Sequence, residues 1–177
     1  LPKRMSIALD QSAISTALSR LADQLFLDAG TDTIDLVGIR RRGDEVSERV
    51  AALLKEKGAN VRLGVLDISL YRDDFEHLHE NPLLQSSEID FSIDGSRVIL
   101  VDDVIFTGRT IRAALDAIFD YGRPAAVELA VLIDRGHREL PIEPRYVGAT
   151  LETDRLDHVR VGLMKTDGED VVELTQK

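Results

Sequence analysis

This 177-residue sequence predicts an α/β fold: a central parallel sheet flanked by helices, with a C-terminal hairpin. Two observations carry the prediction. Strand–loop–helix units recur, one from an apolar run at 34–39 and one from a run at 98–101. The run at 98–101 is apolar throughout, and that at 127–133 is apolar but for Glu128, as in strands covered on both faces.

At 44% hydrophobic residues, the chain can bury a substantial core as one domain over residues 1–177. Its 22 basic and 32 acidic residues leave a net charge of −10, which disfavours non-specific attraction to nucleic acid. Tryptophan is absent and aromatics are 5%, so no base-stacking platform is evident. Without cysteine there is no thiol chemistry and no disulfide. No apolar run is long enough to span a membrane, and the opening Leu1-Pro2-Lys3-Arg4-Met5 lacks the apolar core of a signal peptide. The expected compartment is cytoplasmic.

Taken in order, Asp10 or Ser12 caps a first helix carrying Ile14, Leu18, Leu21, Ala22 and Leu25 at helical spacing, with Gly30 as its stop. The strand at 34–39 runs into Arg40, Arg41, Arg42 and Gly43, and the next helix closes at Gly58. Three arginines between a strand and a helix sit where doubly wound sheets bind ligands, and arginine suits bidentate phosphate binding. Residues 61–70 read as another strand. From Phe75 to Gly95 periodicity is lost, which suits a functional lid as well as a variable loop. His77 and His79 there lack further ligands for a metal site. Tyr121-Gly122-Arg123-Pro124 stops the helix that follows 98–110, and residues 127–133 form a strand. Residues 134–142 are dense in hydrogen-bonding groups. As a lone histidine, His137 there reads as structural. Val159, Val161 and Leu163 alternate, Thr166 to Glu169 form a turn, and 171–174 pair back as a terminal hairpin.

The chemistry concentrates in the run Val98, Ile99, Leu100, Val101, Asp102, Asp103, Val104, Ile105, Phe106, Thr107, Gly108, Arg109, Thr110. A buried strand ends at two carboxylates, and a small-residue loop opens a helix with Ile111, Ala114, Leu115 and Ile118 on one face. The free N–H groups of Thr107, Gly108, Arg109 and Thr110 can converge on a phosphate, favoured by the helix dipole. Carboxylates repel phosphate, so Asp102 and Asp103 suit a vicinal diol or a Mg²⁺ shell. A phosphate beside a diol is a ribose 5-phosphate. A magnesium-holding acid pair of the phosphoacceptor kind fits the same pattern.

The segment 98–110 resembles the phosphoribosyl-pyrophosphate (PRPP) signature of type I phosphoribosyltransferases. With Leu36 to Ile39, Arg42-Gly43, the stretch Leu66 to Asp74, Gly122-Arg123-Pro124 and the stretch Leu129 to Ile142, the chain is similar to the PyrR family. These are pyrimidine-operon attenuators with uracil phosphoribosyltransferase activity. The resemblance implies a type I phosphoribosyltransferase fold and the reaction uracil + PRPP → UMP + diphosphate with Mg²⁺. It implies that Val104 to Thr110 bind PRPP or UMP, with the 5-phosphate on Thr107 to Thr110. Asp102 and Asp103 would hold the ribose hydroxyls and the metal, directly or through water. Arg40, Arg41, Arg42 and Gly43 would form the pyrophosphate loop. Tyr71, Arg72, Asp73 and Asp74 would begin the lid, with Arg72, Asp102 and Asp103 in catalysis and Asp103 also a candidate general base. Arg135, His137 and Arg138 would belong to the hood that reads the base. The alternatives are salvage of a purine base, hypoxanthine or guanine, on the same scaffold, and an RNA-binding regulator with little catalysis.

The family likeness also implies a homodimer or higher homo-oligomer and attenuator mRNA as a partner. Arg20 and Arg155 keep basic positions for RNA. Asp23 stands where the family commonly has His, Ala149 replaces a common Lys, and Glu152 and Asp154 add acids. Since affinity for RNA depends steeply on such charges, weak RNA binding is expected.

Overall fold

The computed structural model describes residues 3–72 and 87–177. Five parallel strands make the main sheet: β2 (Ile34–Ile39), β3 (Val61–Leu66), β4 (Arg97–Ile105), β5 (Ala126–Asp134) and β6 (Tyr146–Thr150). Their spatial order is β3-β2-β4-β5-β6. The chain therefore steps outward from β2 to β3, then returns to place β4 on the other side of β2. Such a reversal opens a crevice at the carboxyl ends of the two strands it separates.

Alternation along the strands divides the core. Leu36, Ile99, Val101 and Leu132 pack with helices α1 (Gln11–Ala29) and α2 (Gly43–Glu56). Val37, Val98, Leu100 and Val131 pack with α3 (Arg109–Ile118) on the opposite face. Fully burying each such aliphatic side chain contributes about 1.5–3 kcal/mol. The expected α1 face is the buried one: Ile14, Leu18, Leu21, Ala22 and Leu25 are all within the core. The Asp10 carboxylate accepts the Ala13 N–H at 2.8 Å and so caps α1.

A second, antiparallel sheet has the order β1-β8-β7, from β1 (Arg4–Leu9), β7 (His158–Gly162) and β8 (Val171–Gln176). The terminal hairpin is present, with His158 opposite Thr175 and Gly162 opposite Val171. Its connection carries a single helical turn, α4 (Met164–Asp167).

Several sequence expectations need correction. Strand β1 was not expected, because Met5 and Ile7 alternate with polar residues yet both face outward, leaving no core signal. Strand β6 was not expected either; only five residues long, it contains a glycine that lies against Leu132 and α1. The strand expected over 61–70 ends at Leu66, where Asp67 Oδ1 accepts the Ser69 N–H at 2.9 Å and turns the chain into a 3₁₀ turn at Ser69–Tyr71. The acid pair does not end its strand: β4 stays paired with β5 up to Ile105 opposite Asp134. The hood is the sheet of β1, β7 and β8, whereas the segment 134–142 packs on the loop after β4. Asp73, Asp74, His77 and His79 lie outside the described residues, as does most of the expected lid.

Candidate active site

The crevice between the carboxyl ends of β2 and β4 is a cleft of about 500 Å³, lined by both loops that the sequence singles out. Arg40, Arg41 and Arg42 enter from the loop after β2, Asp102, Asp103 and Val104 from β4, and Thr110 from the first turn of α3. Arg72 joins from the end of the 3₁₀ turn. Asp67, Ile68 and Ser69 line the wall too, and sequence reasoning had not placed them in the site. The signal for Asp67 was present: an acid one residue beyond a strand on the ligand-binding edge.

Close packing fixes the arginine loop. A Cβ on Gly43 would meet the Val101 carbonyl oxygen at 2.4 Å, so only glycine lets α2 start against the strand that carries the acids. Arg42 precedes it in the left-handed region, at φ 75°, and the Arg40–Arg41 peptide bond is cis. The Arg42 guanidinium forms a two-pronged pair with Asp167, at 3.0 and 2.7 Å.

The acid pair carries an electrostatic conflict. Asp102 is buried, and Asp103 is partly so. Burial pushes the Asp102 carboxyl well above the usual carboxylate range, and the neighbouring Asp103 charge pushes further. Burial also raises Asp103, while a hydrogen bond with Asp102, the Val104 N–H and the Arg42 charge pull it back. Arg72 is the cation that acts on Asp102. Two carboxylates in one dry site ionise together only beside enough positive charge. No group of three or more metal-ligating side chains occurs among the described residues. A bare acid pair suits Mg²⁺, which takes few carboxylates and completes its shell with water and substrate phosphates.

The loop after β4 has the form of an anion cradle. Gly108 caps α3 at φ 92°, a conformation open to glycine, and the Arg109 N–H in the first turn reaches the Thr107 hydroxyl at 3.3 Å. Its Cα faces Leu140 and Ile142, and the Thr107 carbonyl accepts the N–H of Glu139 and of Leu140. Ile105 is core, and Arg109 is exposed and pairs with Glu139 at 3.1 Å.

The three residues expected to read the base stand behind this loop, not on the cleft lining. Arg135 is buried, its guanidinium 3.9 Å from the centre of the Phe106 ring, and its Nε has no partner among the described residues. Arg138 binds the carbonyls of Phe106 and Ile142 and pairs with Asp134 at 2.7 Å. His137 Nε2 lies 2.6 Å from the Thr153 carbonyl. Tyr71 donates its hydroxyl to Asp120 at the end of α3. Of the residues expected to meet RNA, Arg20 donates to the Gly148 carbonyl at 2.7 Å, and Arg155 pairs with Glu139 at 2.6 Å.

An arrangement of this kind suits a phosphorylated sugar with two anionic ends, and comparison with known proteins identifies the family. Residues 6–165 match the phosphoribosyl transferase domain family, so the chain is a phosphoribosyltransferase. Two purine enzymes show the same fold at low identity. A hypoxanthine-guanine phosphoribosyltransferase of Bacillus anthracis superposes with a TM-score of 0.72 at 19% identity, covering 97% of this chain and 98% of that one. The hypoxanthine phosphoribosyltransferase of Trypanosoma cruzi, in complex with the product IMP, gives 0.71 at 19% identity, covering 96% and 93%. Within the class, the chain belongs to the PyrR family. It is 48% identical over 169 residues to the Bifunctional protein PyrR of Acetivibrio thermocellus, covering 94% of this chain and 92% of that protein. Against the Bifunctional protein PyrR of Pelotomaculum thermopropionicum it is 50% identical over 170 residues, covering 95% and 94%.

Proposed function

We propose that this protein transfers the phosphoribosyl group of PRPP to uracil, giving UMP and diphosphate, and that it belongs to the control of pyrimidine synthesis genes. The observation that carries the transfer reading is the cleft: arginines on one wall, an acid pair on the floor and the N-terminus of α3 at one end. That order fits diphosphate, ribose diol and 5-phosphate along one ligand. Uracil as the base is supported by the 43–50% identity to PyrR relatives, against 15–20% for purine enzymes that share the fold. No helix among the described residues is long and apolar enough to cross a membrane. On its likeness to the PyrR relatives, we propose a cytoplasmic homodimer or higher homo-oligomer.

The residues suit a transfer with no covalent intermediate. As diphosphate leaves C1 of the ribose, positive charge grows on the sugar and negative charge on the leaving group. Arg40, Arg41, Arg42 and Arg72 surround the space for the diphosphate and stabilise that charge, while Asp102 and Asp103 orient the diol. The cradle at Thr107 to Thr110 fixes the far end of the sugar, so that C1 meets the base in one pose. A bound Mg²⁺, held by Asp102 and Asp103 directly or through water, supplies further neutralisation of the diphosphate. Asp103 is also placed to take the proton that the base gives up.

The test is product analysis with PRPP, Mg²⁺ and each of uracil, hypoxanthine, guanine and orotate. UMP from uracil alone is the expected outcome. IMP from hypoxanthine with no UMP would sink uracil specificity. The regulatory half is tested by titrating the operon leader RNA with and without UMP.

A further inference from the structure

The turn between β7 and β8, residues 163–170, is strapped to α2 by charged groups. Arg42 at the start of α2 grips Asp167, and one turn and more along the helix Arg49 grips Asp170 with two bonds of 2.8 Å. Between them, buried Glu45 accepts the backbone N–H groups of Lys165 and Thr166. The turn holds the same two aspartates from its own side: the Leu163 N–H reaches Asp167 Oδ2 at 2.9 Å, and the Met164 N–H reaches Asp170 Oδ1 at 2.8 Å. Each carboxylate is thus fixed before it meets its arginine. Of these groups only Arg42 lines the cleft. Its Nε and Nη2 are committed to Asp167, and Nη1 has no partner among the described residues.

We propose that Asp167, in the hood, is a positioning residue for phosphoribosyl transfer. It locks the Arg42 guanidinium at the rim of the cleft so that the remaining N–H edge meets the leaving diphosphate. The inference rests on the reading of the cleft as a PRPP site. An arginine held by a two-pronged pair has already lost the freedom that a loose one would lose on binding, and its planar fork keeps one direction for the ligand. The pair also opposes a competing attraction, because the charge of Asp103 acts on the same guanidinium. With Asp167 neutralised, Arg42 is drawn toward the acid pair and away from the diphosphate.

The experiment measures KM for PRPP, kcat, UMP affinity and thermal unfolding for Asp167→Asn. Asp170→Asn is the control that cuts the same strap where no cleft residue is involved. In Asp167→Asn, KM for PRPP should rise roughly tenfold, the scale of one charged hydrogen bond, and kcat should change less. UMP carries no diphosphate, so its affinity should hold. Asp170→Asn should lower thermal stability while keeping the parental KM, and Asp167→Glu should recover part of the loss. In an Arg42→Ala background, Asp167→Asn should add nothing further. A parental KM in Asp167→Asn, or an equal rise in Asp170→Asn, overturns the proposal. If Asp167→Asn does not fold, Arg42→Ala decides, since a parental KM there overturns it equally. A parent protein that makes no UMP from uracil and PRPP defeats the reading of the cleft itself, and the positioning role with it.

Discussion

Gly43→Ala is the substitution on which the geometry of the cleft bears most directly. A methyl group there would sit 2.4 Å from the Val101 carbonyl oxygen and 3.1 Å from the Asp102 Cα. Ordinary contact begins at 3.4 Å, so the loop carrying Arg40, Arg41 and Arg42 must withdraw from β4 by about 1 Å, a form of overpacking that costs about 1–3 kcal/mol. For a chain of this size that corresponds to a drop in Tm of roughly 2–12 °C. The functional effect is larger, because a misplacement of about 1 Å in a positioned group costs on the order of a hundredfold in rate. Helix propensity predicts the opposite sign for stability, since alanine is favoured over glycine inside a helix. The assay is kcat/KM for UMP synthesis at varied PRPP, alongside calorimetric unfolding and UMP affinity. UMP binding should survive, because the 5-phosphate cradle lies on a different loop. A variant within about threefold of the parental kcat/KM, with unchanged or higher Tm, would refute the packing argument.

Three further outcomes follow from the same geometry. Asp102→Asn with Asp103→Asn should fold yet lose PRPP turnover. Because burial raises the Asp102 pKa in the folded state, its contribution to stability without ligand is fully present below the unfolded value and is lost as pH rises through the folded one. The double variant should flatten that dependence in unfolding scans, and a parental pH profile would count against it. Gly108→Val puts a β-branched residue at φ 92° and should abolish UMP binding in calorimetry, at a strain of about 1–3 kcal/mol. Operon leader RNA should bind weakly near 150 mM salt, and Ala149→Lys with Asp23→His should tighten binding and steepen the log–log salt slope by roughly 0.7 for each added contact. Nanomolar, UMP-enhanced binding by the parent at that salt would refute the charge argument.

The elements legible in the sequence were those whose burial leaves a period. The α1 face from Ile14 to Leu25 and the apolar runs of β4 and β5 are of this kind. The cleft was legible for a different reason: three arginines after one apolar run and two acids following another put charge where parallel sheets bind ligands. What could not be read was tertiary in origin. Met5 and Ile7 give β1 no inward face, so only pairing with β8 reveals it. Arg138 has the composition of a ligand-binding residue, and nothing in the sequence told that its guanidinium ties Asp134 to the carbonyls of Phe106 and Ile142. Likewise Asp167, called only a turn residue, reaches Arg42 across the fold.

The pairing of β1 with β8, in which Arg4 lies opposite Gln176, bears on how the protein is made. A ribosome delivers β1 before the whole main sheet and β8 after it. The main sheet can close as soon as Thr150 has emerged, but the backbone of β1 must wait for β8 to pair. Contacts so distant along the chain are slow to form. The turn that grips Arg42 lies between β7 and β8 and arrives after every strand of the main sheet. A nascent chain therefore forms the loop after β4 before Asp167 can hold Arg42, so the two sides of the cleft are finished at different times.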